Sequence, residues 1–177
     1  SDPVLKKMNR KITRKEIEAT MSRVRSQLPD VAWRTTFIVG FPTETDQDFE
    51  ELVDFVSEGH FQHLGIFLYS DEDNIRSSKF GDPIPLSLKE ERKNRLMEIQ
   101  QKISREHHQK MVGSLQQVLV GGFSSETDLL LEGRNQYQGP EVDGVVYINE
   151  GNATSAGFHQ VEITEAHEYD LVGKILN

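Results

Sequence analysis

The chain contains no cysteine among its 177 residues. This absence excludes disulfide bonds, cysteine-ligated zinc, a cysteine nucleophile and any iron–sulfur cluster held by cysteines of this chain. The sequence also lacks a run of about eighteen apolar residues, so no transmembrane helix is predicted. Both absences are compatible with a cytoplasmic protein, although a lack of cysteine says little about compartment.

Recognisable catalytic patterns are absent as well. The sequence has no Gly-x-Gly-x-x-Gly, no phosphate-binding loop and no Ser/His/Asp arrangement. The adjacent histidines His107 and His108 would point to different faces of the helix predicted around them, so they do not form a metal pair. The residues alone therefore predict neither a catalytic group nor a metal ligand.

Basic residues are scarce in the last third of the chain. Residues 112–177 contain two basic and ten acidic side chains, whereas residues 1–111 contain eighteen and nineteen. The net charge of −9 is thus concentrated in the C-terminal segment. Such a segment repels phosphate backbones and suits a basic protein partner, but the same charge would also serve solubility alone. Both interpretations stay open at this point.

The first eleven residues, SDPVLKKMNRK, do not begin with Met and lack the apolar core of a signal peptide. We therefore expect them to be an internal segment of a longer protein, folded as one or two helical turns. The remaining composition, 36% hydrophobic and 28% charged, predicts one or two ordinary globular domains.

A helix and a strand lead to the central feature of the N-terminal part. A capping-box pattern at Thr13 and Glu16 begins a helix that we expect to run to about Leu28. Residues 35–39 are apolar or β-branched without alternation, which is typical of a strand buried on both faces. Gly40 follows, and it would let a ligand approach the backbone at the carboxyl end of this strand.

The next elements complete a β-α-β pattern, in which two parallel strands are predicted. Thr45 begins a helix that ends at Gly59, and residues 64–69 form a second buried-type strand. Residues 70–85 show no periodicity, and they are long for a loop in a compact domain. A second capping-box pattern, at Ser87, then begins a helix predicted to run to about residue 111.

Short strands separated by glycines dominate the rest of the sequence. Five such segments within about 65 residues are typical of a small antiparallel β-barrel. The candidate strands are residues 115–120, 128–132, 145–148, 160–163 and 170–176.

Three motifs in order resemble the radical-SAM methylthiotransferases. They are VLKKMNRKITRKE at residues 4–16, RTTFIVGFPTET at 34–45 and GPEVDGVVYI at 139–148. The tail EYDLVG at 168–173 and the acidic C-terminal part are most similar to the branch of the family that modifies an aspartate of a small-subunit ribosomal protein. The segment 73–76, DNIR, departs from the Glu-Gly-Thr pattern associated with this position, which weakens a substrate-loop role for residues 70–79.

The resemblance implies an α/β plus β fold. Residues 1–111 would be the C-terminal half of a partial (β/α) radical-SAM barrel, and residues 112–177 would be a TRAM domain, a small OB-like five-stranded antiparallel β-barrel. It also implies S-adenosyl-L-methionine as a cofactor, together with two [4Fe–4S] clusters whose cysteine ligands precede residue 1. In the longer enzyme, a 5′-deoxyadenosyl radical would abstract hydrogen from the aspartate β-carbon, and a methylthio group would be inserted. The chain alone is expected to be inactive.

Particular site residues follow from the motif positions. Arg10 would hold the methionine carboxylate of the cofactor, and the two strand ends would line the rest of the pocket. On the barrel, Arg134, Glu141 and Asp143 are predicted to bind substrate. The predicted cofactor-binding residues are Arg10, Phe37, Val39, Gly40, Glu44, Phe67 and Tyr69.

Two other functions are compatible with the motifs. A tRNA methylthiotransferase would have the same layout, but its barrel should be basic, because RNA affinity depends on neutralised phosphates. A non-catalytic acidic adaptor would not need the cofactor motifs. We therefore predict a basic ribosomal protein as the partner, no RNA or membrane partner, a cytoplasmic location and possible dimerisation through strand edges that half a barrel leaves open.

Overall fold

The computed structural model describes residues 1–72, 77–151 and 156–176. These residues form two compact units, residues 1–100 and residues 101–177. The predicted domain boundary after residue 111 stays a prediction. The DNIR segment at 73–76, which departs from the family pattern, lies outside the described residues.

After a short first helix, helices and strands alternate in the N-terminal part as predicted. Both predicted helix starts there carry a complete capping box, Thr13 with Glu16 and Thr45 with Asp48. Helix α4 begins one residue before Ser87, so Ser87 lies inside its first turn rather than at its N-cap. The elements are α1 (Asp2–Lys7), α2 (Arg14–Gln27), β1 (Arg34–Val39), α3 (Asp46–Ser57), β2 (His63–Leu68), a 3₁₀ turn (Ser78–Phe80) and α4 (Leu86–Gln109).

Strands β1 and β2 pair in parallel, with Val39 opposite Leu68. One face of the pair is buried, because Val39 and Ile66 pack against apolar side chains of α3 and α4. On the other face Ile38 is 39% exposed and Phe67 63% exposed. The prediction that β1 is buried on both faces is therefore wrong for the described residues, since helices cover only one side of this two-stranded sheet.

The C-terminal unit contains a closed five-stranded barrel, as the sequence predicts. Its strands are adjacent in the order β3-β4-β5-β7-β6, and β6 pairs with β3 to close the ring. An apolar core fills the interior, and Val118, Val161, Ile163 and Leu171 are fully buried in it. The strands are β3 (Leu115–Phe123), β4 (Leu131–Arg134), β5 (Val146–Glu150), β6 (Gly157–Ala166) and β7 (Leu171–Ile175).

The barrel is not purely antiparallel, because β5 and β7 run parallel. The reason is geometric. Strand direction cannot alternate all the way around a ring with an odd number of members, so a closed five-stranded barrel must contain at least one parallel pair. The prediction of an antiparallel barrel is correct for the other four pairings.

Two of the sequence motifs meet in this barrel. The Val145 amide donates to the Asp170 carboxylate at 2.8 Å, and the Leu171 amide donates to the Val145 carbonyl at 2.9 Å. A side chain at Gly144 would overlap the carbonyl oxygen of Tyr169. The motif at 139–148 and the tail motif at 168–173 therefore have a structural role, which is to join two segments of the barrel.

Candidate functional site

A cavity of about 490 Å³ lies within the N-terminal unit. Its walls come from α1 and the segment after it, the start of α2, strand β1, Glu44 and helix α3. Apolar side chains form most of the lining, among them Leu5, Met8, Ile12 and Phe37. This size and mainly apolar character are typical of sites that bind small molecules.

Arg10 supplies a positive charge to this cavity. Its backbone amide donates to the Leu5 carbonyl at 2.8 Å, which fixes the segment that follows α1. In the part of the chain that the structure describes, its guanidinium has no ion-pair partner, and the side chain is exposed. A guanidinium in this state can bind a carboxylate or phosphate group through two parallel hydrogen bonds.

Glu44 lies at the edge of the cavity, but its carboxylate has partners within the protein. It accepts a hydrogen bond from the Gly40 amide at 3.0 Å and forms an ion pair with Arg92 of α4 at 2.6 Å. Both side chains of this pair are about 95% buried. Burial raises the pKa of the Glu44 carboxyl, an effect that the Gly40 hydrogen bond and the Arg92 charge oppose. Glu44 therefore anchors the turn that follows β1.

Gly40 adopts a φ of +77°, which favours glycine, and its close neighbour is a protein side chain. A Cβ at this position would overlap the aliphatic stem of Lys89. The close approach predicted for a ligand at Gly40 is thus made by Lys89 in this structure.

Lys89 is 2% exposed and links three segments. Its Nζ donates to the Tyr69 carbonyl at 2.9 Å and to the Asp82 carboxylate at 2.6 Å, and it lies 5.4 Å from the centre of the Tyr69 ring. Three residues further along α4, Arg92 binds Glu44 and also Asp46, the latter at 2.7 Å. Lys89 and Arg92, which we call the α4 cation pair, therefore hold the ends of both β1 and β2.

The predicted cofactor residues fall into two groups. Arg10, Phe37 and Glu44 line the cavity. The other four do not line it: Val39 and Tyr69 are buried in packing, Gly40 is covered by Lys89, and Phe67 lies on the open face of the sheet.

Sequence reasoning missed the α4 cation pair. The helix has an abundance of charge, and most of its charged residues are exposed, so no composition signal marks these two as buried. Their spacing of three residues places them on one face, and this was the only available clue.

The predicted substrate residues of the barrel also separate. Arg134 lines a groove on the outer surface of the barrel. Glu141 is exposed and has a positive φ of 64°, and Asp143 accepts a hydrogen bond from the Gly139 amide at 2.7 Å. Neither acidic residue lines the groove, and Asp143 stabilises its own loop.

Two general features of the described residues also concern function. Within residues 1–72, 77–151 and 156–176, no three His, Asp or Glu side chains gather as a metal site would require. No helix in these ranges combines the length and the apolar character needed to cross a membrane.

Comparison with known families assigns each unit to a class. Residues 1–56 match the radical SAM superfamily, and residues 112–176 match the TRAM domain. The chain thus contains one segment similar to radical SAM proteins and one similar to TRAM domains, as its motifs predict.

Individual curated proteins match the chain over nearly its whole length. The chain is similar to proteins named ribosomal protein uS12 methylthiotransferase RimO. It is 50% identical to that of Bdellovibrio bacteriovorus over 176 residues, 42% to that of Geobacter sulfurreducens over 177 and 45% to that of Desulfotalea psychrophila over 177. These matches include 99–100% of the chain but only 38–40% of the relatives, so the chain spans about two-fifths of their length. The resemblance to radical-SAM methylthiotransferases that the motifs predict is confirmed by these matches.

Proposed function

We propose that the chain is the cofactor-side and substrate-binding part of an enzyme that methylthiolates an aspartate of ribosomal protein uS12 in the cytoplasm. The observation that carries this proposal is the match over the whole chain to uS12 methylthiotransferases at 42–50% identity. The chain combines a radical-SAM-like segment and a TRAM-like barrel in one sequence, which agrees with this proposal.

The cavity of the N-terminal unit suits S-adenosylmethionine. The guanidinium of Arg10 would bind the methionine carboxylate, and the apolar walls near Phe37 and Ile38 would pack against uncharged parts of the molecule. The carboxylates of Asp48 and Glu51 also line the cavity and would accept from the amino or hydroxyl groups. When bound, the cofactor supplies the chemistry that starts the radical reaction.

Iron–sulfur clusters do not fit the residues of this chain, because it has no cysteine. In our proposal the cluster ligands come from the part of the relatives that this chain does not match. The residues of this chain would bind and orient the cofactor and the substrate.

The barrel is proposed to bind uS12 rather than RNA. With ten acidic and two basic residues in 112–177, it would repel a phosphate backbone and attract a basic protein. Exposed edges of the two-stranded sheet would also allow the isolated chain to dimerise.

A chimera tests the proposal. The matched segment of the B. bacteriovorus protein would be replaced by this chain, the clusters reconstituted, and uS12 and bulk tRNA offered separately as substrates. We expect mass spectrometry to show a methylthio group on one uS12 aspartate and none on tRNA. Modification of tRNA instead, or an inactive chimera beside an active parent, would overturn the proposal.

The Arg10→Ala chimera addresses the cofactor cavity directly. It should bind S-adenosylhomocysteine, an unreactive analogue, about tenfold or more weakly, because a charge-assisted contact is lost. Arg23→Ala, which removes an exposed arginine of α2, serves as the matched control and should bind normally.

A further inference from the structure

A groove of about 700 Å³ on the outer surface of the barrel is unusual in its chemistry. Arg134 is the only charged side chain among its ten lining residues, and Leu115, Leu119 and Phe158 are the apolar ones. The other six all carry an amide: Gln116, Gln117, Asn135, Gln136, Gln138 and Gln160. We call this surface the amide groove.

Pairing between β3 and β6 builds one wall of the amide groove. Gln117 lies opposite Gln160, and Leu119 lies opposite Phe158. These side chains point outward, since Val118, between Gln117 and Leu119, and Val161, next to Gln160, are fully buried in the core and side chains alternate along a strand. Phe158 is 68% exposed, which is high for a phenylalanine. The wall therefore presents alternating rows of amide and apolar side chains to solvent.

The segment that follows β4 provides the other wall, where an amide donor is unsatisfied. Gln138 is only 7% exposed, and its Oε1 accepts from the Asn135 amide at 3.0 Å. Its Nε2 has no acceptor among the described residues. A buried donor without an acceptor costs free energy, so a carbonyl oxygen brought to this wall would gain binding energy.

We infer that the amide groove binds an extended peptide through its main-chain amide groups. This inference rests on the proposed function, from which uS12 is taken as the source of the peptide. A glutamine side chain ends in one donor group and one acceptor, which matches the N–H and C=O that each peptide unit offers. The apolar rows would take the alternate side chains of an extended segment.

The pairing of the barrel strands explains why side-chain amides would contact the main chain of a bound peptide. Many proteins bind extended peptides by adding a strand to a free sheet edge. Each of the five barrel strands has a neighbour on both sides, and an unpaired edge remains where the pairing is partial, as at residues 115–118 of β3, which pair with β6 but not with β4. Over the β3–β6 wall, where the main-chain groups are paired, recognition of a peptide main chain would come from side-chain amides.

Charge decides between a peptide and a nucleic acid. Amides and an exposed phenylalanine could also bind bases, but single-stranded RNA binding depends strongly on cations along the backbone. The amide groove has Arg134 alone, within a segment that has ten acidic residues. The residues that line the groove include no carboxylate, so the hydrogen bonds formed there should depend little on salt, unlike the attraction of the acidic barrel for a basic protein.

The test uses the full 177-residue chain and short overlapping peptides that cover uS12, with fluorescence anisotropy as the measurement. We expect one peptide to bind, and we expect the loss of its affinity in a groove variant to be about the same at low and high salt. The double variant Gln117→Ala/Gln160→Ala should weaken the binding about tenfold, which corresponds to two neutral hydrogen bonds. Asn149→Ala removes an exposed amide of β5 outside the groove, and it should leave the affinity unchanged.

An ester bond in place of one peptide bond of the ligand gives a sharper test. It removes a single N–H, so binding should weaken about fivefold at the positions that the groove contacts. Equal binding by all ester variants, an unchanged affinity of the double variant, or tighter binding of a single-stranded RNA would overturn the inference. If uS12 is methylthiolated by the chimera but none of its peptides binds the groove, the inference fails while the proposed function stands.

Discussion

Lys89 of α4 lies directly over Gly40 at the carboxyl end of β1, so that only a hydrogen atom fits between the glycine backbone and the lysine stem. From there the lysine Nζ reaches the Tyr69 carbonyl beyond the end of β2, at 2.9 Å. One buried side chain thus sets the relative positions of both strand ends. Because Arg92 holds Glu44 and, through it, the Gly40 amide, the α4 cation pair fixes the whole turn from two sides.

Gly40→Ala should be more damaging than a change at an ordinary left-handed glycine. Gly59 has a similar φ of +73°, but no atom lies within 4 Å of the place that a methyl group would take, so Gly59→Ala isolates the backbone term. We expect about 1 kcal/mol loss of unfolding free energy for Gly59→Ala and about 3 kcal/mol for Gly40→Ala. Urea unfolding followed by Trp33, the single tryptophan, measures both. Equal losses of unfolding free energy in the two variants would show that the Lys89 side chain moves away from the added methyl group without destabilising the protein.

Lys89→Met keeps the aliphatic stem and removes the ammonium. The Tyr69 carbonyl then loses its donor, and the Asp82 carboxylate loses its partner. We expect a loss of about 2 kcal/mol in unfolding free energy, as is typical when a buried hydrogen-bonding group is left unpaired. Lys93→Met, in the same helix, should change it by less than about 0.5 kcal/mol. A more stable Lys89→Met protein would mean that desolvating the ammonium group destabilises the fold by more than its contacts with Tyr69 and Asp82 stabilise it.

The buried Glu44 predicts a definite pH dependence. Its pKa is raised by burial, so the folded protein holds this proton more tightly than the unfolded chain does. The contribution of Glu44 to stability is therefore complete below its unfolded pKa and falls as the pH rises through the raised folded pKa. Glu44→Gln does not titrate and should not show this fall.

The comparison is made by urea unfolding of both proteins from about pH 4 to about pH 7. The free energy of unfolding of the native protein minus that of Glu44→Gln should decrease as the pH rises. A difference that grows with pH would show that pairing with Arg92 dominates over burial.

The two acidic residues of the 139–143 loop should behave differently. Glu141 is exposed, so Glu141→Lys should weaken binding of uS12 at low salt by about two- to fivefold without changing stability. Asp143 accepts from the Gly139 amide, so Asp143→Lys should also lower the melting temperature of the barrel. Calorimetry and binding at two salt concentrations distinguish the cases. Unchanged uS12 affinity in both variants would mean that this acidic loop serves solubility only.

Sequence patterns predicted the elements and part of the cavity. Arg10, Phe37 and Glu44 were selected from motif positions, and the structure places all three on one cavity. Val39, Gly40, Phe67 and Tyr69 came from the same motifs but do not line it. A motif identifies a segment, but it does not specify which of its side chains reach the cavity. Val39 lies on the same face of β1 as Phe37, yet it is buried against α3 and α4, so packing rather than strand position separates the two.

Local interactions explain what the sequence by itself determined. Capping boxes at Thr13 and Thr45, helical periodicity and glycine-separated strands act within a few residues, and their residue types are visible in the chain. The strand count of the barrel follows in the same way, and an odd count already requires a parallel pair.

Only the tertiary structure decided which charges are buried. Lys89 and Arg92 resemble their exposed neighbours in α4, and their burial depends on Gly40, Tyr69 and Glu44, which lie twenty or more residues away. The meeting of Gly144 with Tyr169 and the grouping of amides around Gln138 likewise depend on strand pairing. Long-range contacts of this kind arise from packing and register, which local propensity does not encode.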